Sequence, residues 1–410
     1  MKQFLINFKN YTHFIKYGVK QGLISLWSFC INLIILTYAV TQWENIVYES
    51  NIMLLFFLIF VNIVWQFMST LEDFYQYLKK TKNCLVSHKN ISSFKLADDI
   101  SDRYTKKELP GMQVVIINND VNKILTSDRR IKIIVSRRKK QRVNHYIKTY
   151  FNILYPFLQI KWYDAKNRNG AFYNEKKLCM ASEIEEYGNG DYVVALNEGN
   201  YYNSFLTNNI FCMKLSNQNG VDIMPPLNID NSKIRSLNNS CMSNHIGVST
   251  IAVTSDGYAV IMRHNNKSAI DTNMLMPTAS GSVDYADLIE NEDFRKTIIR
   301  AVEREFCEET MLKRELILNT KIIGFYRDLS RGGKPEFCCL TTLIGSKPDI
   351  NELVIPNSSE QRDDFEMVRF FENGEYTSTN VQKFMIQKNN EVSLALNMNI
   401  ELITKIDTAS

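Results

Sequence analysis

Two stretches near the N-terminus interrupt an otherwise mixed pattern. Leu23–Val40 and Ile52–Met68 carry no charged side chain and are apolar all round rather than along one face. At about 1.5 Å of rise per residue, each is long enough to cross a hydrocarbon core of about 30 Å. The pattern predicts a two-helix transmembrane hairpin, with spans over about 22–41 and 51–69 inside a membrane unit of residues 1–82. A cleaved signal peptide fits poorly: the leader is long and aromatic-rich, no small-residue cleavage site follows, and a second span comes at once. A buried core hairpin is the other reading of these runs. Lys2, Lys9, Lys16 and Lys20 precede the first span and Lys79, Lys80 and Lys82 follow the second, whereas the short connection carries only Glu44 and Glu49. Both termini are therefore expected on the cytoplasmic side. Asn32 and Asn62 are polar within the spans, suited to hydrogen bonds between helices of one chain or of neighbouring copies.

After residue 82 the period changes. Apolar runs predict strands over Met112–Asn118, Arg130–Ser136, Leu158–Tyr163 and Tyr192–Leu196, and an amphipathic helix over His145–Tyr155 that Pro156 stops. Residues 83–242 thus read as a linker and an α/β or α+β module, either a separate domain or an elaboration packed on the C-terminal unit. Within it runs RRKKQR, with Arg137, Arg138, Lys139, Lys140 and Arg142. Three readings stay open: a solvated turn, a cradle for phosphate in a ligand pocket, or a contact with anionic headgroups.

The last unit, residues 243–410, starts with alternating apolar residues from Gly247 to Asn265 around a Ser-Asp-Gly turn, a hairpin signal. A small-residue loop, Ala279–Asp284, then leads into a helix. Phe294, Ile298, Ala301, Val302 and Phe306 are spaced like its buried side. Lys321–Tyr326 and Phe337–Ile344 read as further strands. On that helix Arg304–Glu309 spells R-E-F-C-E-E, so Glu305, Glu308 and Glu309 fall at i, i+3 and i+4 and share one face. Three like charges repel, and a hard divalent cation would offset the repulsion. A solvated acidic face is the plainer reading.

The string, preceded by the glycine loop, resembles the Nudix box of the Nudix hydrolase family: Gly, five residues, Glu, seven residues, then R-E-U-x-E-E-x-G-U with U apolar. The resemblance covers roughly residues 244–406 and implies a mixed-sheet α/β fold. Carried over by position, Glu305, Glu308 and Glu309 would hold Mg²⁺ or Mn²⁺, Glu308 and Glu309 being the catalytic candidates, and Arg304 would orient a glutamate. Three positions depart from the pattern. Gly281 lies 23 positions before Arg304, so the loop is longer than the standard one; Lys296 stands in the place of the first glutamate; Met311 stands in that of the second glycine. Gly281, Val283, Asp284 and Asp287 fit a longer variant of the loop.

Composition narrows the partners. With 48 basic and 44 acidic residues the chain is only +4, too weakly basic for nonspecific binding to a nucleic-acid polymer. Its eight cysteines show no C-x-x-C pair or zinc spacing and read as reduced thiols, and its five histidines form no cluster in sequence.

Taken whole, a hairpin followed by a Nudix-like unit is similar to the two-transmembrane Nudix effectors of bacterial cyclic-oligonucleotide antiphage (CBASS) systems. That resemblance implies a cyclic nucleotide made by a partner nucleotidyltransferase, a homo-oligomer in the bacterial inner membrane, and permeabilisation of that membrane as the response. The competing expectation is a membrane-anchored, metal-dependent Nudix hydrolase of nucleoside diphosphate derivatives.

Overall fold

The structure, a computed structural model, describes residues 2–20, 85–88, 91–167, 172–188, 190–216, 233–264, 273–356, 362–388 and 391–407, with isolated positions between. Helix α1 (Lys2–Lys20) is amphipathic: Phe14 and Tyr17 are buried while Lys9, Lys16 and Lys20 stay outside. Among the described residues no helix is long and apolar enough to cross a membrane. This overturns the expected transmembrane hairpin and, with it, the inner-membrane placement. α1 has the length, but its lysines recur through every part of it. Asn32 and nearly all of 23–40 and 52–68 lie outside the described residues; Asn62 is helical and exposed.

A nine-stranded mixed sheet forms the spine. β1 (Thr105–Leu109) and β2 (Gln113–Ile117) come from the middle of the chain. The Nudix-like unit supplies β6 (Gly247–Val253), β7 (Tyr258–His264), β8 (Leu275–Met276), β9 (Ala279–Ser282), β10 (Ile317–Asp328), β11 (Lys334–Leu343) and β12 (Arg362–Arg369). The order is β8-β7-β6-β11-β10-β2-β1, with β9 added to β6 and β12 to β7. β6 runs parallel to β11 and is buried on both faces, which its unbroken run of small and apolar residues allows. The expected hairpin is present: Ala252 and Val253 pair with Val260 and Ala259 across a turn where Gly257 sits at φ 87°.

The module between them has its own sheet of β3 (Ile131–Val135), β5 (Asp191–Asn200) and β4 (Lys176–Met180), in that order, with Glu185–Tyr187 also on β5. β3 and β5 are parallel, so the chain crosses over between them through α3 (Arg137–Asn167), after the shorter α2 (Asn119–Thr126). Here two expectations fail. α3 does not stop at Pro156, and Leu158–Tyr163 is helix rather than strand. Short apolar runs carry no period that separates a strand from a buried helix; the helix carries one non-helical residue, Tyr150 (φ −107°, ψ 15°), and continues through Pro156.

Module and Nudix-like unit share one core. Phe94, Ile131, Leu178 and Val194 pack in the same cluster as Phe294, Val302, Phe325 and Phe337. A buried ionic group pins the junction: Arg327 of β10 reaches Glu183 at 3.2 Å, and the Tyr104 hydroxyl donates to the same carboxylate at 2.5 Å. On the opposite face of the large sheet lie α5 (Ser378–Gln387) and α6 (Leu394–Asp407). α1 packs separately, on α3, through Phe14, Tyr17, Phe151 and Tyr155.

Candidate functional site

α4 (Phe294–Thr310) begins at Asp293, whose side chain accepts from the Arg295 amide. It buries Phe294, Ile298, Val302 and Phe306 against the sheet. That packing turns the i, i+3, i+4 glutamates toward the β9 loop. Glu305 lies directly on Gly281: a Cβ at that glycine would fall 2.1 Å from the Glu305 carboxyl carbon. A side chain at 281 would have to displace the Glu305 carboxylate. Glu309 is 5 % exposed and accepts from the Ser280 amide at 3.0 Å, while Glu308 is the most exposed of the three.

Arg304 ties the group together. Its guanidinium donates to Asp287 at 3.0 and 3.2 Å, to Glu305 at 2.9 Å, to Glu308 at 3.3 Å and to the Ser282 carbonyl at 3.2 Å. Burial works against its charge, but Asp287 and Glu305 more than compensate and raise its pKa above the ordinary arginine value. Burial pushes the Glu305 carboxyl up to about 7 despite the pull of Arg304, and Glu308 adds to the rise. The lengthened loop has a structural reason in this geometry. Asp287 both closes a capping box with Asp284 and receives Arg304. Lys296, in the place of the first box glutamate, is exposed on α4 and does not line the cavity.

These groups form one wall of a cavity of about 730 Å³. Sequence reasoning missed the other walls. β10, β11 and the turn between them bring Asp328, Arg331, Lys334 and Glu336, with Arg331 3.3 Å from Asp328 and Lys334, 2 % exposed on its side chain, donating to Glu336. Burial lowers the Lys334 pKa, and burial together with these cations drives His245 well below its usual value, keeping that imidazole neutral. The module contributes Tyr173, Glu175, Lys177 and Tyr201, and α1 adds Ile6 and Lys9. Lys177 pairs with Asp284 at 2.5 Å beside a bridge between their backbones, so β4 docks on the box loop itself. The only local hint was the alternation of Lys334 and Glu336 on one face of a strand.

The basic run does not join this cavity. Lys139 is buried and donates to the carbonyls of Leu237 and Ser240; Arg142 donates to the Asn238 carbonyl at 2.9 Å. Lys140 faces Glu198 at 2.8 Å, and Arg137 and Arg138 take no part in either wall.

Seven carboxylates line the large cavity against five Lys and Arg side chains. Excess carboxylate oxygen fits Mg²⁺ or Mn²⁺ in donor type and in charge. Among the described residues no three acidic, His or Cys side chains are already grouped to hold an ion. Arg304 lies between Glu305 and Glu308, and Glu309 turns to Ser280. A cation would have to take Glu308, at least, from the guanidinium.

The fold defined by the mixed sheet, the Gly281 loop and the R-E-x-x-E-E helix is Nudix-like. No family model matches the chain, and no curated protein matches it. Solved structures similar to it include a Nudix hydrolase from Nitrosomonas europaea, 16 % identical over 40 % of this chain and 90 % of that one, with a TM-score of 0.26. A Nudix hydrolase from M. smegmatis is 10 % identical over 40 % and 87 %, with a TM-score of 0.27. The MutT protein from Methanosarcina mazei is 15 % identical over 40 % and 94 %, with a TM-score of 0.24. At such scores these neighbours carry no argument about chemistry, which rests on the side chains described above.

Proposed function

We propose that the large cavity binds a nucleoside diphosphate derivative with its phosphates toward α4, and that this chain hydrolyses the bound ligand in a metal-dependent reaction. The observation that carries this reading is the convergence of Glu305, Glu308 and Glu309 on one wall of a cavity that Arg331 and Lys177 also line. Glu308 and Glu309 are the residues that would hold Mg²⁺ or Mn²⁺, which supplies charge neutralisation of the phosphates and a more acidic water. Arg304 holds Glu305 in place, Ser280 orients Glu309, and Lys177 and Arg331 offer charge to the phosphate oxygens. Tyr173 and Tyr201 provide faces on which a base can stack.

A second reading has its own support. Module and α1 close over the box, and Lys296 replaces a box glutamate, both of which suit a receptor that keeps its ligand. In that reading the ligand is a cyclic nucleotide from a partner nucleotidyltransferase, whose phosphodiesters contain no pyrophosphate. The antiphage role implied by the CBASS resemblance stands or falls with that ligand.

The deciding experiment is product analysis of the purified chain with a panel of nucleoside diphosphate derivatives and cyclic nucleotides, in Mn²⁺ and in EDTA. Turnover in Mn²⁺ that drops by about a thousandfold or more in Glu308→Gln or Glu309→Gln supports hydrolysis. Binding of a cyclic nucleotide recovered intact, with no turnover of any diphosphate, replaces it with the receptor.

A further inference from the structure

A second cavity, of about 280 Å³, lies between α1, α3 and the β4–β5 pair, and shares no lining residue with the first. Its charge is the reverse of its neighbour's. Lys16 and Lys20 of α1, Lys140 of α3 and Lys176 of β4 surround a single carboxylate, Glu198. Lys140 and Lys176 reach Glu198 at 2.8 and 3.2 Å and, against the effect of burial, hold its carboxyl below the usual range. Among the described residues no second acid lines the cavity to answer Lys16 and Lys20. His13, at the rim, does not add to the charge: burial and Lys9 lower its pKa.

Below the lysines the floor is polar and fixed. Asn203 and Asn197 are each 3 % exposed and Ser243 is 2 % exposed. Asn203 accepts from the Tyr17 hydroxyl at 2.7 Å and donates to Asn144 at 2.9 Å, so α1, α3 and the floor are locked by one amide. Asn197 donates to the Glu198 carbonyl at 3.2 Å, while its Oδ1 is buried without a partner. A native interior rarely leaves such an acceptor unsatisfied, and the donor it needs is a hydroxyl, such as that of a sugar carried by the phosphate, since a phosphate dianion has no hydrogen to give.

From this we infer that the small cavity is a metal-independent site for a compact phosphomonoester, such as a sugar phosphate or a single mononucleotide. Four ammonium groups around one carboxylate leave an excess that matches a dianion better than a single carboxylate. Lysines act as point charges toward phosphate, whereas carboxylate recognition favours the planar fork of arginine, of which the lining has none. The volume lies just under the about 300–1,000 Å³ of drug-sized ligand sites and so suits a compact phosphomonoester better than a cyclic di- or trinucleotide. The assignment gives Lys140 alone, of its basic run, a phosphate to hold, and gives Lys16 and Lys20 a role that needs no membrane.

The test is calorimetric titration of the full chain in EDTA with inorganic phosphate and with a 5′-mononucleotide. We expect saturable binding of one of them, weakened about tenfold or more in Lys16→Ala/Lys20→Ala, the equivalent of at least one charged hydrogen bond. Lys140→Gln should weaken it as well. Both lysines of α1 are exposed, so thermal melting should be unchanged in the double variant. Lys177→Ala/Arg331→Ala, in the large cavity, should bind with wild-type affinity. Absence of binding, unchanged affinity in the α1 double variant, or loss that follows the Lys177→Ala/Arg331→Ala variant instead would overturn the assignment. So would capture by anionic phospholipid vesicles without binding of either soluble phosphate, which would assign the lysines to a lipid headgroup.

Discussion

The two cavities are lined by different residues of the same elements, Lys16 and Lys9 of α1 and Lys176 and Lys177 of β4, and are built from opposite materials. The larger is lined by an excess of carboxylates, and its cations already have acids beside them: Arg304 with Asp287, Lys177 with Asp284, Lys334 with Glu336. The smaller has an excess of ammonium groups and one acid to share. An anionic ligand entering the first must bring a cation or displace an arginine; one entering the second needs neither. The difference teaches that phosphate recognition cannot be read from the number of basic residues near a pocket. What counts is how many of them are left uncommitted by the fold.

The comparison breaks most visibly if the tied cation is removed. Arg304→Met strips four oxygen-bearing partners of their common donor, three of them carboxylates that the fold holds close together. Breaking such a partly buried group should cost about 3 kcal/mol in urea unfolding in EDTA. Lys140→Met, in the small cavity, removes a side chain that is 43 % exposed, and should cost below about 1 kcal/mol. Mn²⁺ should recover much of the Arg304→Met loss and none of the Lys140→Met loss. Equal costs, or no rescue by Mn²⁺, would remove the distinction between the cavities.

Acidity sharpens the same contrast. The Glu305 carboxyl is raised from 4.5 to about 7 by burial, so the folded chain holds a proton there that the unfolded chain has released. Across that window the native state binds more protons, and stability must fall as pH rises from about 4.5 to about 7. The metal-free protein should therefore lose up to about 3 kcal/mol between pH 4.5 and pH 8 from this group. Glu305→Gln should flatten that slope when unfolding is followed at several pH values. Glu198, held low by Lys140 and Lys176, works in the opposite sense: its contribution is present above its unfolded pKa and is lost as pH falls. An unchanged slope in Glu305→Gln would show that the carboxyl is not the source.

What the chain discloses about itself divides along the same line. The α4 glutamates were legible because their spacing is local, and a helix converts i, i+3 and i+4 into one face without help from the rest of the fold. The lengthened loop was legible for the same reason, with Asp284 and Asp287 a fixed distance from Gly281. Lys177, Arg331 and Lys334 were not, since the register of β4 on the box loop and of β10 on β11 decides what they face. Lys16 and Lys20 were read as flanks of a membrane span because a lysine before an apolar run has that meaning locally. Their place over Asn203 depends on Phe14 and Tyr17 packing on α3, a contact more than a hundred residues away in sequence. Leu158–Tyr163 failed for a third reason: a buried helix and a buried strand look alike over so few residues.

The smallest effect tests whether the box still follows its old backbone rule. Met311 replaces the second box glycine, yet the backbone keeps the conformation glycine would adopt, with φ 59° and ψ 9° at the C-cap of α4. A side chain there meets the steric penalty of the left-handed region, and Met311 gains little packing in return, being 57 % exposed. Met311→Gly should therefore stabilise the chain by about 1 kcal/mol, less the entropy that glycine adds to the unfolded state. A urea midpoint that rises without a change in slope would show that the helix end is strained as placed. A midpoint that falls would mean Met311 is held by contacts that outweigh its backbone, and that the end of the box has been rebuilt around it.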